Sequence, residues 1–292
     1  MPLVRFFGII AKVIKMKVCD LHSHSVFSDG SMTPAELVAL AEKSGISALA
    51  LTDHNTAKGL PDFMSAGEKS NTITVPGCEI STEHRGTELH ILGLFLPENA
   101  WRAVDEYTLK MKLAKKESNL SLVKKLKEAG YSISYEEIAK TTDADEFNRA
   151  HVANVLKNKG YVKTVNEAFN TVLNPSNGYY EHPKRLDSLE TVSFIKSIGG
   201  VAVLAHPFLN MNKEQLEEFL PLAKEKGLDG IETLYTTFSD EEIQLARELA
   251  RRFELKESGG SDFHGLAKPT ISLGTGYGKL RVPFDYYEKL KP

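Results

Sequence analysis

Residues 19–30 read Cys19-Asp-Leu-His-Ser-His-Ser-Val-Phe-Ser-Asp-Gly30, and the interpretation of the whole chain begins with this stretch. An apolar run at residues 16–19 predicts a short strand that leads into His22 and His24. In extended backbone, side chains two residues apart point to the same face, so both imidazoles can bind one metal ion. A single His-x-His pair is common by chance, so it indicates a metal site only if similar residues follow at other strand ends.

Strand and helix patterns alternate along most of the chain. Capping boxes, such as Thr33 with Glu36 and Ser239 with Glu242, predict where helices begin. Further strands are predicted at residues 46–51, 73–75, 89–96, 201–205, 230–234, 255–258 and 271–273. Repeated β-α units of this length predict an α/β fold with a parallel sheet, and the number of units favours a closed barrel.

The alternation stops between residues 99 and 183, where helical patterns predominate. A lysine-rich helix is predicted over residues 101–129, and shorter helices follow it. Its lysines lie most of the way round the helix, which favours a solvated surface over an RNA-binding face. We therefore predict four segments. These are an N-terminal extension (1–15), a first part of the barrel (16–98), a helical insertion domain that caps the substrate site (99–183) and a second part of the barrel (184–292).

Composition limits the classes of protein to which the chain can belong. The 292 residues carry a net charge of −3, so no global basic field marks nucleic acid as the main partner. The two cysteines, Cys19 and Cys78, lie in apolar runs and predict free thiols in a reducing cytoplasm. No apolar run reaches bilayer length, and residues 1–15 lack the cleavage site of an export signal. We expect a cytoplasmic protein with no membrane contact and no obligate protein partner.

Histidines and carboxylates recur where the predicted strands end. The candidate metal ligands are His22, His24, Asp29, His54, Glu79, His90, His206, Asp262 and His264. Loops after the strands of a parallel barrel meet at one mouth, so these side chains should converge. Imidazole and carboxylate without thiolate suit Mn²⁺, Fe²⁺ or Zn²⁺, and so many ligands imply two or three ions. Taken singly, a histidine or acid of this set is more often an ordinary polar residue at a strand end. A structural zinc site is a further alternative, but such sites favour thiolate ligands.

These residues, in this order, resemble the PHP (polymerase and histidinol phosphatase) family. The resemblance covers His22-x-His24, Asp29-Gly30, Thr52-Asp-His54, Gly77-x-Glu79, His90, Ala205-His-Pro207 and Ser261-Asp-Phe-His264. It implies a distorted (β/α)7 TIM-like barrel with a helical insertion domain and two or three divalent ions, with Mn²⁺ expected before Fe²⁺, Zn²⁺ or Mg²⁺. The implied ligand sets are His22, His24, Glu79 and Asp262; then Glu79, His90 and His206; then Asp29, His54 and His264. Other branches often have histidine in place of Asp29, which puts the third ion in doubt.

The predicted insertion carries the motif Phe147-Asn-Arg-Ala-His151. It is similar to the motif of stand-alone PHP phosphoesterases that hydrolyse nucleoside 3′,5′-bisphosphates or trim the 5′ ends of short RNA. The resemblance implies that Arg149 pairs with a substrate phosphate, beside Asn148 and His151, and Lys184 is a further candidate. The alternative is that Arg149 and His151 form a local surface pair at a helix start.

We therefore expect a metal-dependent phosphoesterase that acts on a small phosphorylated nucleotide, or on short RNA, by attack of an activated water on phosphorus. The candidate catalytic residues are Asp29, His54, His206 and His264. One alternative is a histidinol phosphatase or another small-molecule phosphomonoesterase. A second alternative is a PHP module that binds nucleic acid and has lost catalysis.

Overall fold

The computed structural model describes residues 17–142, 147–183 and 185–292. The predicted N-terminal extension and Lys184 lie outside these residues.

The described residues form one mixed sheet of nine strands. The strands are β1 (Val18–Asp20), β2 (Ile46–Leu51), β3 (Ile73–His84), β4 (Thr87–Leu94), β5 (Leu186–Asp187), β6 (Val201–Leu204), β7 (Gly230–Tyr235), β8 (Lys256–Gly260) and β9 (Val282–Pro283). Their order is β8-β7-β6-β4-β3-β2-β1-β9, and β5 pairs with β3. Neighbours along this order are parallel except where β4 meets β3 and β6 and where β9 meets β1.

The sheet curves until the chain beyond β1 meets the chain beyond β8. The amide of Leu21 donates to the carbonyl of Gly259 at 3.1 Å, and the amide of Asp262 donates to that of His22 at 2.9 Å. A third hydrogen bond joins His24 to Phe263 at 2.9 Å. These bonds nearly close the barrel, and the antiparallel β4 distorts it, so the predicted α/β barrel is confirmed.

Helices cover the strands and fill the segment between β4 and β5. They are α1 (Pro34–Ser44), α2 (Leu60–Gly67), α3 (Trp101–Glu128), α4 (Tyr135–Ala139), α5 (Arg149–Asn158), α6 (Val165–Asn170), α7 (Ser188–Ser197), α8 (Lys213–Glu225), α9 (Asp240–Arg252) and α10 (Phe284–Leu290). Thr33 and Ser239 form the predicted capping boxes of α1 and α9. Among the described residues, no helix has the length and apolar character needed to span a membrane.

Buried apolar side chains form three clusters. One contains alternate residues of the strands and closes against Tyr286 and Leu290 of α10. The second lies between the strands and the covering helices. The third is confined to the segment between β4 and β5, around Phe147 and Leu156. The domain limits at residues 99–183 stay a prediction, which the separate third cluster favours.

Three details of the predicted elements were wrong. The strand predicted at residues 73–75 continues to His84, because it pairs with β4 as a hairpin. Residues 271–273 form no strand; Ile271 and Leu273 are buried anchors of a loop, and the last strand is β9. The short helices α2 and α10 and the two-residue strand β5 were missed. Apolar content alone does not distinguish a buried loop from a short strand.

Candidate metal centre

Seven of the nine predicted ligands lie in loops that follow strands, whereas Glu79 lies inside β3 and His90 inside β4. His22 and His24 follow β1, and an isolated bridge joins the backbone of His54 to that of Glu79. The amide of Asn55 donates to the carbonyl of Glu79 at 2.9 Å, which fixes the loop after β2 against β3. Sheet register thus brings together side chains that are far apart in sequence.

The carboxylate of Glu79 lies at the centre of the cluster. It is fully buried, and five imidazole nitrogens approach its two oxygens. They are Nε2 of His22 (3.1 Å), Nε2 of His24 (3.2 Å), Nδ1 of His54 (3.2 Å), Nδ1 of His90 (2.7 Å) and Nε2 of His206 (2.9 Å). Asp262 Oδ1 lies 3.1 Å from Nε2 of His24, and Asp29 Oδ1 lies 3.1 Å from Nε2 of His264.

Within the described parts of the chain, three sets of donor atoms are close enough to share an ion, with the atoms of each set lying within 4.8 Å of one another. They are His22, His24, Glu79 and Asp262; then His24, Asp29, His54 and His264; then His54, Glu79 and His90. The first set matches the resemblance-based assignment. The second contains the expected third set with His24 added. His206 stands outside these sets but contacts the shared carboxylate of Glu79.

Burial and charge act in opposite directions on these groups. Burial alone would raise the pKa of Glu79, but His54, His22 and His90 outweigh burial and lower that pKa well below its usual range. Burial would lower the pKa of His22, but Glu79, Glu232 and Asp262 raise it well above its usual value. Protons on imidazoles thus balance the carboxylates. Divalent cations would supply the same balance in place of those protons, because metal binding releases protons from ligands.

The orientation of several rings fits metal binding better than hydrogen bonding. Both nitrogens of His24, Nδ1 of His54 and Nε2 of His264 are buried and have no hydrogen-bond partner among the described residues. His24 Nε2 and His54 Nδ1 lie within 3.2 Å of Glu79, but not at hydrogen-bonding angles. Buried nitrogens are normally paired, so these unpaired nitrogens are available as metal ligands. The residues present therefore fit a group of divalent ions.

Two of the candidate ligands have strained backbone. His206 has φ 27° and Asp262 has φ 55°, values that residues with a side chain rarely adopt. Both follow the ends of buried strands, β6 and β8. Such strain persists where the surrounding structure fixes it, and it concentrates at functional sites.

A ring of outer partners, which was not predicted from the sequence, orients the ligands. Glu232 Oε1 accepts from Nδ1 of His22 at 3.0 Å, and its other oxygen accepts from the amide of His206 at 2.6 Å. Tyr235 Oη donates to Asp262 Oδ2 at 2.8 Å. Asp20 accepts from the backbone of Ser261 at 2.9 Å. The signal for Glu232 was an acid inside a largely apolar strand, and the signal for Asp20 was an acid at the end of one, because a buried carboxylate needs partners.

The predicted substrate residues of the insertion lie at the start of α5. Asn148 caps this helix, with its side chain accepting from the amides of Ala150 and His151. The ring of His151 returns to Asn148, which completes a capping box. The suggested pair of Arg149 with His151 is therefore wrong: the partner of His151 is Asn148.

Arg149 instead lies against aromatic rings. Its guanidinium carbon is 4.5 Å from the ring centre of Tyr180 and 5.7 Å from that of Phe169. No carboxylate pairs with it among the described residues. A guanidinium that stacks on rings keeps its N–H donors for another ligand.

The sequence of this chain is similar to those of known phosphoesterases. The PHP domain family matches residues 20–229. A 5′-3′ exoribonuclease of Haemophilus influenzae is 31% identical over 249 residues, covering 85% of this chain and 90% of that protein. A phosphoribosyl 1,2-cyclic phosphate 1,2-diphosphodiesterase of Eggerthella lenta is 32% identical over 254 residues, covering 84% and 94%. A 3′,5′-nucleoside bisphosphate phosphatase of Chromobacterium violaceum is 31% identical over 249 residues, covering 84% and 86%.

The fold of this chain is also similar to that of a solved structure. A crystal structure from Bifidobacterium adolescentis, described as a metal-dependent phosphoesterase, superposes with a TM-score of 0.71 at 26% identity. The match covers 94% of this chain and 95% of that one.

Proposed function

This chain belongs to the PHP domain family and is a metal-dependent phosphoesterase, and from that premise we propose that it hydrolyses phosphate esters of nucleotides. The most suitable substrates are the 3′-phosphate of nucleoside 3′,5′-bisphosphates and short 5′-phosphorylated RNA. The observation that carries the proposal is the buried carboxylate of Glu79 within 3.2 Å of five imidazoles.

The nine residues predicted as ligands would hold two or three divalent ions, with Mn²⁺ our preferred choice. Imidazole and carboxylate are common donors for Mn²⁺, Fe²⁺ and Zn²⁺, and Glu79, which belongs to two of the donor sets, would help to hold more than one ion. Bound ions would lower the pKa of a coordinated water and neutralise charge on the phosphoryl oxygens.

The protein groups supply orientation and access. Glu232 accepts a hydrogen bond from Nδ1 of His22 and would keep the proton of the ring there. Nε2, which faces Glu79, would then be free to bind a metal ion. Asp29 and His54 have the largest exposed fractions among the candidate ligands, 56% and 25% of the side chain. We therefore propose that substrate enters on their side. His206 and His264 are the more enclosed members of the predicted catalytic set; His264 would act beside Asp29, and His206 would act at the opposite oxygen of Glu79 from His54.

Substrate choice would depend on the insertion. Arg149 has planar N–H donors that fit a phosphate, and stacking on Tyr180 limits its motion. A second phosphate on the substrate would bind there, with Asn148 and His151 fixing the helix start that carries Arg149. The same role for Lys184 stays a prediction from the sequence.

The relatives also favour a second candidate. One similar protein is named as a diesterase of a cyclic ribose phosphate, and it covers as much of the chain as the others. A small cyclic phosphodiester is therefore the alternative substrate class. Histidinol phosphate remains the alternative drawn from the sequence.

We also propose that the enzyme works in the cytoplasm without an obligate protein partner. The support is that Cys19 and Cys78 are both buried free thiols, which a reducing compartment preserves.

A parallel assay tests the proposal. Protein treated with chelator and reloaded with Mn²⁺ is offered adenosine 3′,5′-bisphosphate, a 5′-phosphorylated oligoribonucleotide, a ribose 1,2-cyclic phosphate and histidinol phosphate. We expect the first two to be hydrolysed fastest, with activity lost on chelation and recovered with Mn²⁺. Fastest turnover of the cyclic ester or of histidinol phosphate would move the assignment to that class, and activity that survives chelation would refute metal dependence.

A further inference from the structure

A cavity of about 190 Å³ opens at the metal centre, and its lining carries carboxylates, three imidazoles and one lysine. Glu79, Glu88 and Asp262 contribute three carboxylates to it. Lys268 is the one lysine or arginine among the described residues that line it. A phosphate group in this cavity needs positive charge to offset the carboxylates, and Lys268 would supply one from the protein in addition to the proposed ions.

Lys268 contacts the oxygen of Asp262 that is turned away from the histidines. Its Nζ lies 2.8 Å from Asp262 Oδ2, the same atom that accepts from Tyr235 Oη. The other oxygen, Oδ1, faces Nε2 of His24 at 3.1 Å and Nε2 of His22 at 3.5 Å. Lys268 therefore lies next to the candidate ion positions without occupying a donor position.

The ammonium of Lys268 has donors to spare. A lysine carries three N–H donors, and one is used by Asp262 within the described part of the chain. The side chain is 41% exposed, whereas that of Asp262 is 6% exposed. Two N–H donors therefore remain available to a ligand that enters from solvent.

The backbone fixes where this lysine stands. It follows a short turn, Gly265–Ala267, that comes directly after His264. The amide of Leu266 donates to Ser31 Oγ at 2.7 Å, and the amide of Lys268 donates to the carbonyl of Gly265 at 3.2 Å. The loop of Lys268 is thus tied to the loop that carries Asp29.

We propose that Lys268 binds a non-bridging oxygen of the phosphoryl group undergoing hydrolysis through its free N–H donors. Its third N–H stays hydrogen-bonded to Asp262. This inference rests on the proposed function, since it assigns a phosphate ligand to the same site. It differs from the role of Arg149, which is assigned to a phosphate that is not cleaved.

The test compares Lys268→Met with Tyr235→Phe in Mn²⁺-loaded protein. Both variants remove one hydrogen bond to Asp262 Oδ2, but only the first removes a cation from the cavity. Binding of inorganic phosphate is measured by calorimetry, and bound manganese is measured by elemental analysis. Lys279→Met, at an exposed position outside the cavity, is the matched control for the substitution itself.

We expect Lys268→Met to weaken phosphate binding and raise KM about tenfold to a hundredfold, the effect of losing one hydrogen bond to a charged group. Manganese content should match the wild type, and Lys268→Arg should restore most of the phosphate affinity. Lys279→Met should leave phosphate affinity within about threefold of the wild type, and Tyr235→Phe should retain more phosphate affinity per bound manganese than Lys268→Met.

Two results would overturn the inference. Equal loss of manganese in Lys268→Met and Tyr235→Phe, with phosphate affinity per metal-loaded site unchanged, would reduce Lys268 to a positioning residue for Asp262. Unchanged phosphate affinity and KM in Lys268→Met would also reject it. Failure of the proposed function is distinct, because it would appear as wild-type protein that binds manganese and hydrolyses none of the phosphate esters.

Discussion

The barrel mouth and the helical insertion obtain their functional side chains in different ways. At the mouth, sheet register gathers residues as distant as His22 and Asp262, and burial with charge fixes them. In the insertion, Asn148 and His151 are fixed by a local capping box, and Arg149 rests on aromatic rings. Long-range convergence on one carboxylate has few explanations besides metal binding. A helix cap is an ordinary structural feature, so the insertion supports a weaker functional conclusion.

The comparison predicts that changes at the mouth abolish chemistry and that changes in the insertion alter substrate preference.

The largest effect is expected from Glu79→Gln. The amide keeps the shape but removes the charge that five imidazoles surround, so bound manganese should fall and kcat should drop by about a thousandfold or more. Elemental analysis and turnover of adenosine 3′,5′-bisphosphate measure both quantities. Glu83→Gln, on the same strand and exposed, is the control and should behave as the wild type. Manganese content and kcat of Glu79→Gln within tenfold of the wild type would refute the central role of Glu79.

Glu232→Gln should have a smaller effect at the same mouth. Glu232 contacts His22 and the amide of His206 without being a candidate ligand itself. Loss of such an outer partner typically weakens metal binding about tenfold to a hundredfold. Titration of the chelated protein with Mn²⁺ measures this affinity. An affinity equal to that of the wild type would show that the ligands are oriented without Glu232.

Arg149→Ala should affect substrate preference and leave metal content unchanged. Loss of a charged hydrogen bond should lower kcat/KM for the bisphosphate about tenfold to a hundredfold, with a smaller change for a nucleoside 3′-monophosphate. Lys157→Ala, an exposed change on the same helix, is the control. Equal losses on the two substrates would contradict the role of Arg149 in binding a second phosphate.

Asn148→Ala should have the smallest effect, mainly on stability. Removing the cap of α5 should lower the free energy of unfolding by about 1 kcal/mol, whereas Asn148→Ser should retain most of it. Chemical denaturation measures the difference. An unchanged free energy of unfolding in Asn148→Ala would show that the capping contact contributes nothing to stability.

The same contrast explains what the sequence could predict. Histidines and acids after the predicted strands led to the prediction of nine ligands, because the C-terminal ends of barrel strands must meet, and the structure brings these side chains close together. The antiparallel pairing of β3 with β4 was missed, since an antiparallel strand in a barrel has the same apolar sequence pattern as a parallel one. Glu232 and Lys268 were missed because their importance lies in contacts across the site. The partner of His151 required the geometry of the helix cap, which side-chain types alone do not give.

The most direct test is a crystal structure of protein reloaded with Mn²⁺, with anomalous scattering recorded at the manganese edge. The account predicts two or three peaks beside Glu79, each within about 2.5 Å of imidazole or carboxylate donors from the nine named residues. Anomalous maps without a peak at Glu79, from crystals grown at saturating Mn²⁺, would contradict it.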